Sequence, residues 1–151
     1  MTSEVIDAVQ SGPQGLPVDA PDWPVAIVKE TNMTDAATLA ERYIAVWNER
    51  DPDRRSTLVA ETFAEGATYG DPLAEVEGHA GIDGLVAAVQ AQFPDFRFAP
   101  AGSVDAYGDR LRFSWTLGPA SGPAVAGGTD FATIASGRFA SVVGFLDFAP
   151  G

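Results

Sequence analysis

Apolar residues follow two periods along this chain, and the change between them divides it. From Thr34 or Asp35, either of which can cap a helix, Leu39, Tyr43, Val46 and Trp47 recur at helical spacing through Glu49. Asp51-Pro52 is a cap followed by proline at the first helical position. It predicts a second helix through Leu58, Val59, Thr62 and Phe63, stopping at Gly66. Ala67-Thr68-Tyr69-Gly70 reads as a short extended piece ending at Asp71-Pro72, and residues 73–80 read as a loop. The third helix is the clearest, with Ile82, Leu85, Val86, Val89 and Phe93 on one face before Pro94 ends it. Beyond Pro94 the period becomes two. Phe96 and Phe98 alternate with polar neighbours, and Val104 and Ala106 lead into the turn Tyr107-Gly108-Asp109. Leu111, Phe113, Trp115 and Leu117 then alternate with Arg110, Arg112, Ser114 and Thr116. After the 118–123 loop, Val125–Ile134 and Phe139–Phe148 read as two more strands joined at Ser136-Gly137.

Three helices followed by four antiparallel strands, plus a short early strand, make an α+β plan. The predicted architecture packs the helices in a strongly curved mixed or antiparallel sheet that encloses a pocket. Gly127, Gly128 and Gly144 would supply the strand bends. The domain covers residues 33–151. Residues 1–32 read as a Pro/Gly-rich N-terminal arm, because Gly12-Pro13, Gly15, Pro17, Pro21 and Pro24 break any periodicity. Within it a short helical turn fits 3–10, and Val25–Val28 fits an extended piece packed on the domain. Met33 is a candidate for the natural start.

Charge and composition narrow the function classes. A net charge of −12, from 21 acids and 9 bases, repels phosphate backbones and anionic lipid, so neither nucleic acid nor a membrane is an expected partner. Apolar runs such as 85–89 and 142–146 are too short to span a bilayer, and the acidic N-terminus lacks the regions of a signal peptide. A cytoplasmic location is the expectation. Arginine supplies every base except Lys29, which together with the heavy Ala and Gly usage points to a GC-rich bacterial genome. With no cysteine, disulfides, thiol catalysis and thiolate metal sites are excluded. The single histidine, His79 in Glu77-Gly78-His79-Ala80-Gly81, has no His-x-x-x-His partner to anchor a metal. Gly78-x-x-Gly81-x-x-Gly84 has the wrong spacing for a dinucleotide loop, and no P-loop lysine is present. The reading is of no cofactor and no metal. Carboxylates and aromatics remain. Asp71 ends the early strand. Asp130 shares a strand face with Ala132 and Ile134, where an acid needs solvent, or a raised pKa and a hydrogen-bond partner.

Six stretches follow one another along the chain: Arg42-Tyr43-Ile44-Ala45-Val46-Trp47-Asn48, the run Phe63–Pro72, Gly78-x-x-Gly81-Ile82, Asp130–Ile134, Gly137-Arg138-Phe139 and Val142–Phe145. Taken in that order, they resemble the NTF2-like superfamily over residues 34–148. That superfamily includes bacterial ketosteroid isomerases and SnoaL-like polyketide cyclases. The resemblance implies a cone of curved sheet on three helices with a pocket in its mouth, and a homodimer. It also implies a cofactor-free isomerase or cyclase acting on a small hydrophobic carbonyl ligand. By the same resemblance Asp71 falls on the general base, Tyr43 on the oxyanion-hole tyrosine, and Asp130 on a second oxyanion donor kept protonated. An ionised carboxylate can take a proton alpha to a carbonyl, while a phenol and a neutral acid donate to the developing enolate oxygen. Trp47, Tyr69, His79, Phe93 and Trp115 are the expected pocket residues. Val86 stands where some of these enzymes have a supporting tyrosine, and Phe145-Leu146 where a cavity tryptophan is found, which leaves the substrate open. Two rivals remain. One is an epoxide-opening hydrolase, which would place an arginine between its acids; Arg110 and Arg112 face away from the Trp115 side. The other is a non-catalytic ligand-binding or dimerisation module. The face bearing Arg110, Arg112, Ser114 and Thr116 is the candidate dimer surface.

Overall fold

The helical stripe read from the sequence becomes the centre of the core. A computed structural model describes residues 33–150, and the arm assigned to residues 1–32 lies outside the described residues. Helix α1 spans Met33–Asn48, and its Ala36, Leu39, Ala40, Tyr43, Val46 and Trp47 are all buried. Helix α2 spans Pro52–Thr62. Asp51 caps it by accepting from the Arg54 N–H, with Pro52 in the first turn where no N–H is needed. Helix α3 spans Gly78–Gln92 and buries Ile82, Val86 and Gln90. No helix among the described residues is long and apolar enough to cross a membrane.

Six strands complete the fold: β1 Phe63–Asp71, β2 Ala74–Glu77, β3 Phe96–Tyr107, β4 Arg110–Pro119, β5 Ala126–Ala135 and β6 Arg138–Phe148. They form one mixed sheet in the order β2-β1-β6-β5-β4-β3, in which only the β1–β6 pair is parallel. One face carries Phe63, Leu111, Phe113, Ala132, Phe139 and Val142 into the core beneath the helices.

Three expectations are corrected. The second helix stops at Thr62, four residues before Gly66, because Phe63 gains more as a buried strand residue paired with Phe139 than as another helical turn. The segment read as a loop at 73–80 contains β2 and the first turn of α3. Its Ala-Glu-Val-Glu alternation pairs antiparallel with β1 from Asp71↔Ala74 to Thr68↔Glu77. Finally, the sheet is not a strongly curved cone. It is open, ending on β2 and β3, and neither closes nor curls strongly.

The glycines expected to bend the strands serve another purpose, which is clearance. A Cβ on Gly127 would lie 2.5 Å from the Phe148 ring, and one on Gly128 would lie 2.5 Å from the Trp115 ring and 2.6 Å from the Phe145 carbonyl oxygen. None of Gly127, Gly128 and Gly144 has a positive φ, so backbone conformation does not require glycine there.

Two polar clamps set the C-terminal end of α1. The Asn48 side chain pairs with β3 like a strand residue, donating to the Phe98 carbonyl at 2.9 Å and accepting from the Phe98 N–H at 2.8 Å. The Gln90 amide of α3 donates to the Trp47 and Glu49 carbonyls at 3.0 and 2.8 Å, satisfying acceptors that the helix end leaves open. Gln90 in turn accepts from buried Arg55, which also pairs with Asp83 at 2.8 Å, so all three helices are tied together at this corner.

The clearance argument gives a stability test. Gly128→Ala should cost about 1–3 kcal/mol in urea denaturation, as overpacking against a fixed backbone oxygen does. Gly66→Ala, with nothing within 4 Å of the added carbon, should be close to neutral.

Candidate active site

The site is built where α1 crosses the middle of the sheet. Tyr43 and Trp47 lie four residues apart, on the helix face turned to the strands. Asp130 is on β5, in register with Phe113 on one side and Gly144 on the other. It is 2% exposed, and both its oxygens accept hydrogen bonds. The Tyr43 hydroxyl donates to Oδ2 at 2.6 Å, and the Trp115 indole N–H donates to Oδ1 at 3.1 Å. A Cβ on Gly144 would sit 2.6 Å from Asp130 Oδ1 and 3.7 Å from the Asp71 Cβ, so the two carboxyl side chains flank this glycine.

Asp71 stands at the end of β1 and closes the turn into β2. Its Oδ1 accepts from the Leu73 and Ala74 N–H groups at 2.7 and 2.9 Å, and its Oδ2 accepts from the Tyr69 hydroxyl at 2.5 Å. A carboxylate has about four acceptor positions, so one on Oδ2 is left for a ligand.

A cavity of about 500 Å3 opens between the helices and the inner face of the sheet. Tyr43, Trp47, Tyr69, Asp71, Phe93, Trp115 and Asp130 all line it. His79 does not. It is half-buried at the start of α3 with Nε2 2.8 Å from the Phe63 carbonyl oxygen, a contact that ties the helix start to β1. The sequence reading missed Ile44, Leu85, Val89, Phe98, Leu117, Ala126 and Leu146 as wall residues. All but Ile44, Ala126 and Leu146 stood in predicted apolar stripes, and only the pairing of elements shows which stripe ends face the cavity. Among the described residues, no Arg, Lys or His lines the cavity, and no group of three His, Cys, Asp or Glu could hold a metal ion.

Burial dominates the electrostatics. It pushes Asp130 up to about 6, with the nearby Asp71 charge adding to the rise and the Tyr43 and Trp115 hydrogen bonds opposing it. Burial and the facing Asp130 hold the Tyr43 hydroxyl well above its ordinary range, and burial and Asp71 do the same for Tyr69. Both phenols are thus proton donors at neutral pH.

Comparison with known proteins places this geometry in a family. A family model described as a SnoaL-like domain matches residues 40–142. The chain belongs to the SnoaL-like family. Among solved structures, it is 46% identical to a protein from Agrobacterium tumefaciens provisionally described as an isomerase of the SnoaL-like family. That match has a TM-score of 0.73 and covers 76% of this chain and 99% of the other. It is 20% identical to a provisionally described ketosteroid isomerase from Kribbella flavida, with a TM-score of 0.60 over 80% of this chain and 84% of the other. It is 23% identical to a provisionally described polyketide cyclase from Sinorhizobium meliloti, with a TM-score of 0.58 over 75% of this chain and 98% of the other. At those lower identities the likeness is one of fold. No curated protein matches the chain.

Asp130 gives this SnoaL-like domain a stability signature of definite sign. Its folded-state pKa of about 6 lies above the unfolded value of about 3.9. Between those values the folded state binds more protons, so the contribution is full below pH 4 and is lost as pH rises through 6. Relative to Asp130→Asn, the wild-type chain should lose on the order of 2–3 kcal/mol between pH 4 and pH 7. Urea denaturation at both pH values measures this difference, and the carboxylates common to both proteins cancel.

Proposed function

We propose that the chain is a cofactor-free isomerase or cyclase that removes a proton alpha to the carbonyl of a small apolar ligand. The observation that carries this reading is the pairing of two carboxyl groups in unlike surroundings within one aromatic cavity. Asp71, half-exposed with one acceptor position open, is the base. Asp130, buried beneath Tyr43, is the acid end. A ligand that displaces water from the cavity desolvates Asp130 further and drives it to the neutral form. Asp130 and Tyr43 can then donate to the ligand oxygen. The walls of Trp47, Phe93, Phe98 and Trp115 suit a flat, uncharged ring system. An epoxide-opening reaction would need an arginine between the acids, and none lines the cavity among the described residues.

Assembly belongs to the same proposal. The outer sheet face exposes Phe131, Val143 and Phe145, with the first and last in an edge-to-face contact, beside Arg110 and Arg112 of β4. A homodimer through this face covers an apolar patch that water otherwise meets. The apolar strip lies on β5 and β6, one strand over from the surface read in the sequence. Light scattering should return twice the 15.8 kDa of the chain, and Phe145→Asp should return the single mass.

The chemistry can be tested without the true substrate. 2-Tetralone is a flat ketone whose alpha protons exchange with deuterium when a base removes them, and NMR follows that exchange. The wild-type chain should accelerate the exchange, and Asp71→Asn should slow the accelerated rate by about 10²–10⁴. Asp130→Leu should lower both the rate and the affinity for the ketone. Equal exchange in wild type and Asp71→Asn would remove the proposed base.

A further inference from the structure

The outer face of the sheet carries opposite charges at its two ends, in matching rows. Arg112 on β4 pairs with Phe131 on β5, Phe131 with Val143 on β6, Val143 with Gly70 on β1, and Gly70 with Glu75 on β2. A second row runs Arg110, Thr133, Ser141, Thr68 and Glu77 across the same five strands. The row between them, Leu111, Ala132, Val142, Tyr69 and Val76, packs into the core, so both flanking rows face outward. Each outward row therefore begins in an arginine and ends in a glutamate about 19 Å away, at four strand spacings. All four charged residues are exposed. Among the described residues, Arg110, Glu75 and Glu77 make no ion pair, and Arg112 pairs only with exposed Asp105 of β3. A guanidinium has about five N–H donors, so that pair leaves Arg112 able to hold a second carboxylate.

Row ends so far apart cannot meet within one chain, and a second copy brings them together. Two identical sheets packed face to face are related by a two-fold axis lying between them, which runs either across the strands or along them. An axis across the strands sets arginine over arginine and glutamate over glutamate. An axis along β6, the middle strand of the five, sets β2 of each copy over β4 of the other at the same height. Arg112 then faces Glu75 of the partner subunit and Arg110 faces Glu77 of the partner subunit, each contact being made twice by symmetry. The angle of about 30° between packed sheets offsets the row ends by about 5 Å, which long arginine and glutamate side chains span. The middle of the first row agrees with this axis. Val143 meets the partner's Val143, and Phe131 lies over the partner's Gly70, which has no side chain. We propose that the outer face is a self-complementary interface for a second copy of this chain, with its two-fold axis along β6 and Arg110 and Arg112 of one copy set against Glu77 and Glu75 of the other. The inference rests on the homodimer of the proposed function and fixes how its two sheets are turned. Charge chooses the direction, and the exposed apolar strip of Phe131, Val143 and Phe145 lies at the centre of the interface.

The chain contains no cysteine, so cross-linking has a clean background. Glu75→Cys and Arg112→Cys, made as separate proteins and mixed, should be joined into a covalent dimer by a short bismaleimide. Each variant alone should not be joined, because like positions lie about 20 Å apart across the proposed interface. Self-linking of either variant in preference to the mixture would set like positions together and overturn the inference. Charge reversal gives a second readout by light scattering over a dilution series. Glu75→Arg with Glu77→Arg in one chain should weaken the dimer about tenfold or more, as should Arg110→Glu with Arg112→Glu in another. Mixed, these two variants should form a heterodimer about as tight as the wild-type dimer. Reversed variants that dimerise as the wild type does would overturn the inference and leave a dimer held by its apolar strip. If the wild-type chain scatters as a single 15.8 kDa mass at all concentrations, the proposed homodimer itself falls. The proposed chemistry is tested separately, by ketone exchange.

Discussion

A carboxylate that is 98% buried has to be given partners or a proton, and most of this fold's central geometry serves that demand at Asp130. Its two partners come from different layers. Tyr43 reaches down from α1, and Trp115 reaches across from the neighbouring strand β4. Both contacts require α1 to cross the sheet at one height and angle. The Asn48 clamp on Phe98 and the Gln90 cap on Trp47 hold it there, and the Tyr43 ring is packed against Phe63, Phe113 and Phe139. Removing any one of these supports would leave an acid in the core short of a donor, a more costly fault than a lost apolar contact.

The same demand explains the small residues of β5 and β6. A carboxyl group lying flat on a sheet needs a neighbour with no side chain, and Gly144 provides it on the β6 side. The Trp115 indole lies over Gly128 for the same reason. Glycine in a strand costs backbone entropy, so three such positions weaken the sheet locally. What they yield is a floor low enough for a cavity to exist above it. The outer face of the same strands has no such constraint, and there the side chains are large: Phe131, Val143 and Phe145.

The legible parts of the sequence were those that depend on period alone. Leu39, Tyr43 and Trp47 read as one helical stripe, and Leu111, Phe113, Trp115 and Leu117 as one strand face, because each pattern lies within a single element. The resemblance to the NTF2-like superfamily supplied what period cannot, namely that Tyr43, Asp71 and Asp130 converge from three distant segments. Failures occurred where a pairing decides the outcome. Phe63 reads as helical until Phe139 is known to lie beside it, and Ala74–Glu77 reads as loop until β1 is there to pair with it. His79 read as a pocket residue, yet its ring meets a backbone carbonyl of β1 and it does not line the cavity. Glycines in strands read as bends, and distinguishing a bend from clearance requires the neighbour's side chain.

Charge accounting joins the fold to its chemistry. Two carboxyl groups flank Gly144, and no Arg, Lys or His stands among the described residues of the wall, so negative charge in the cavity has no cation beside it. An anionic ligand would add to that charge. In the proposed reaction a neutral one would strip water from Asp130, and repulsion from Asp71, which already raises the Asp130 pKa, would favour a proton there over a second negative charge. The acid farther from solvent, Asp130, would take the proton because burial raises its pKa. The carboxyl group at the turn, Asp71, is met by two backbone N–H groups and a phenol. In the proposed reaction, one apolar ligand would thereby sort two identical functional groups into a base and an acid.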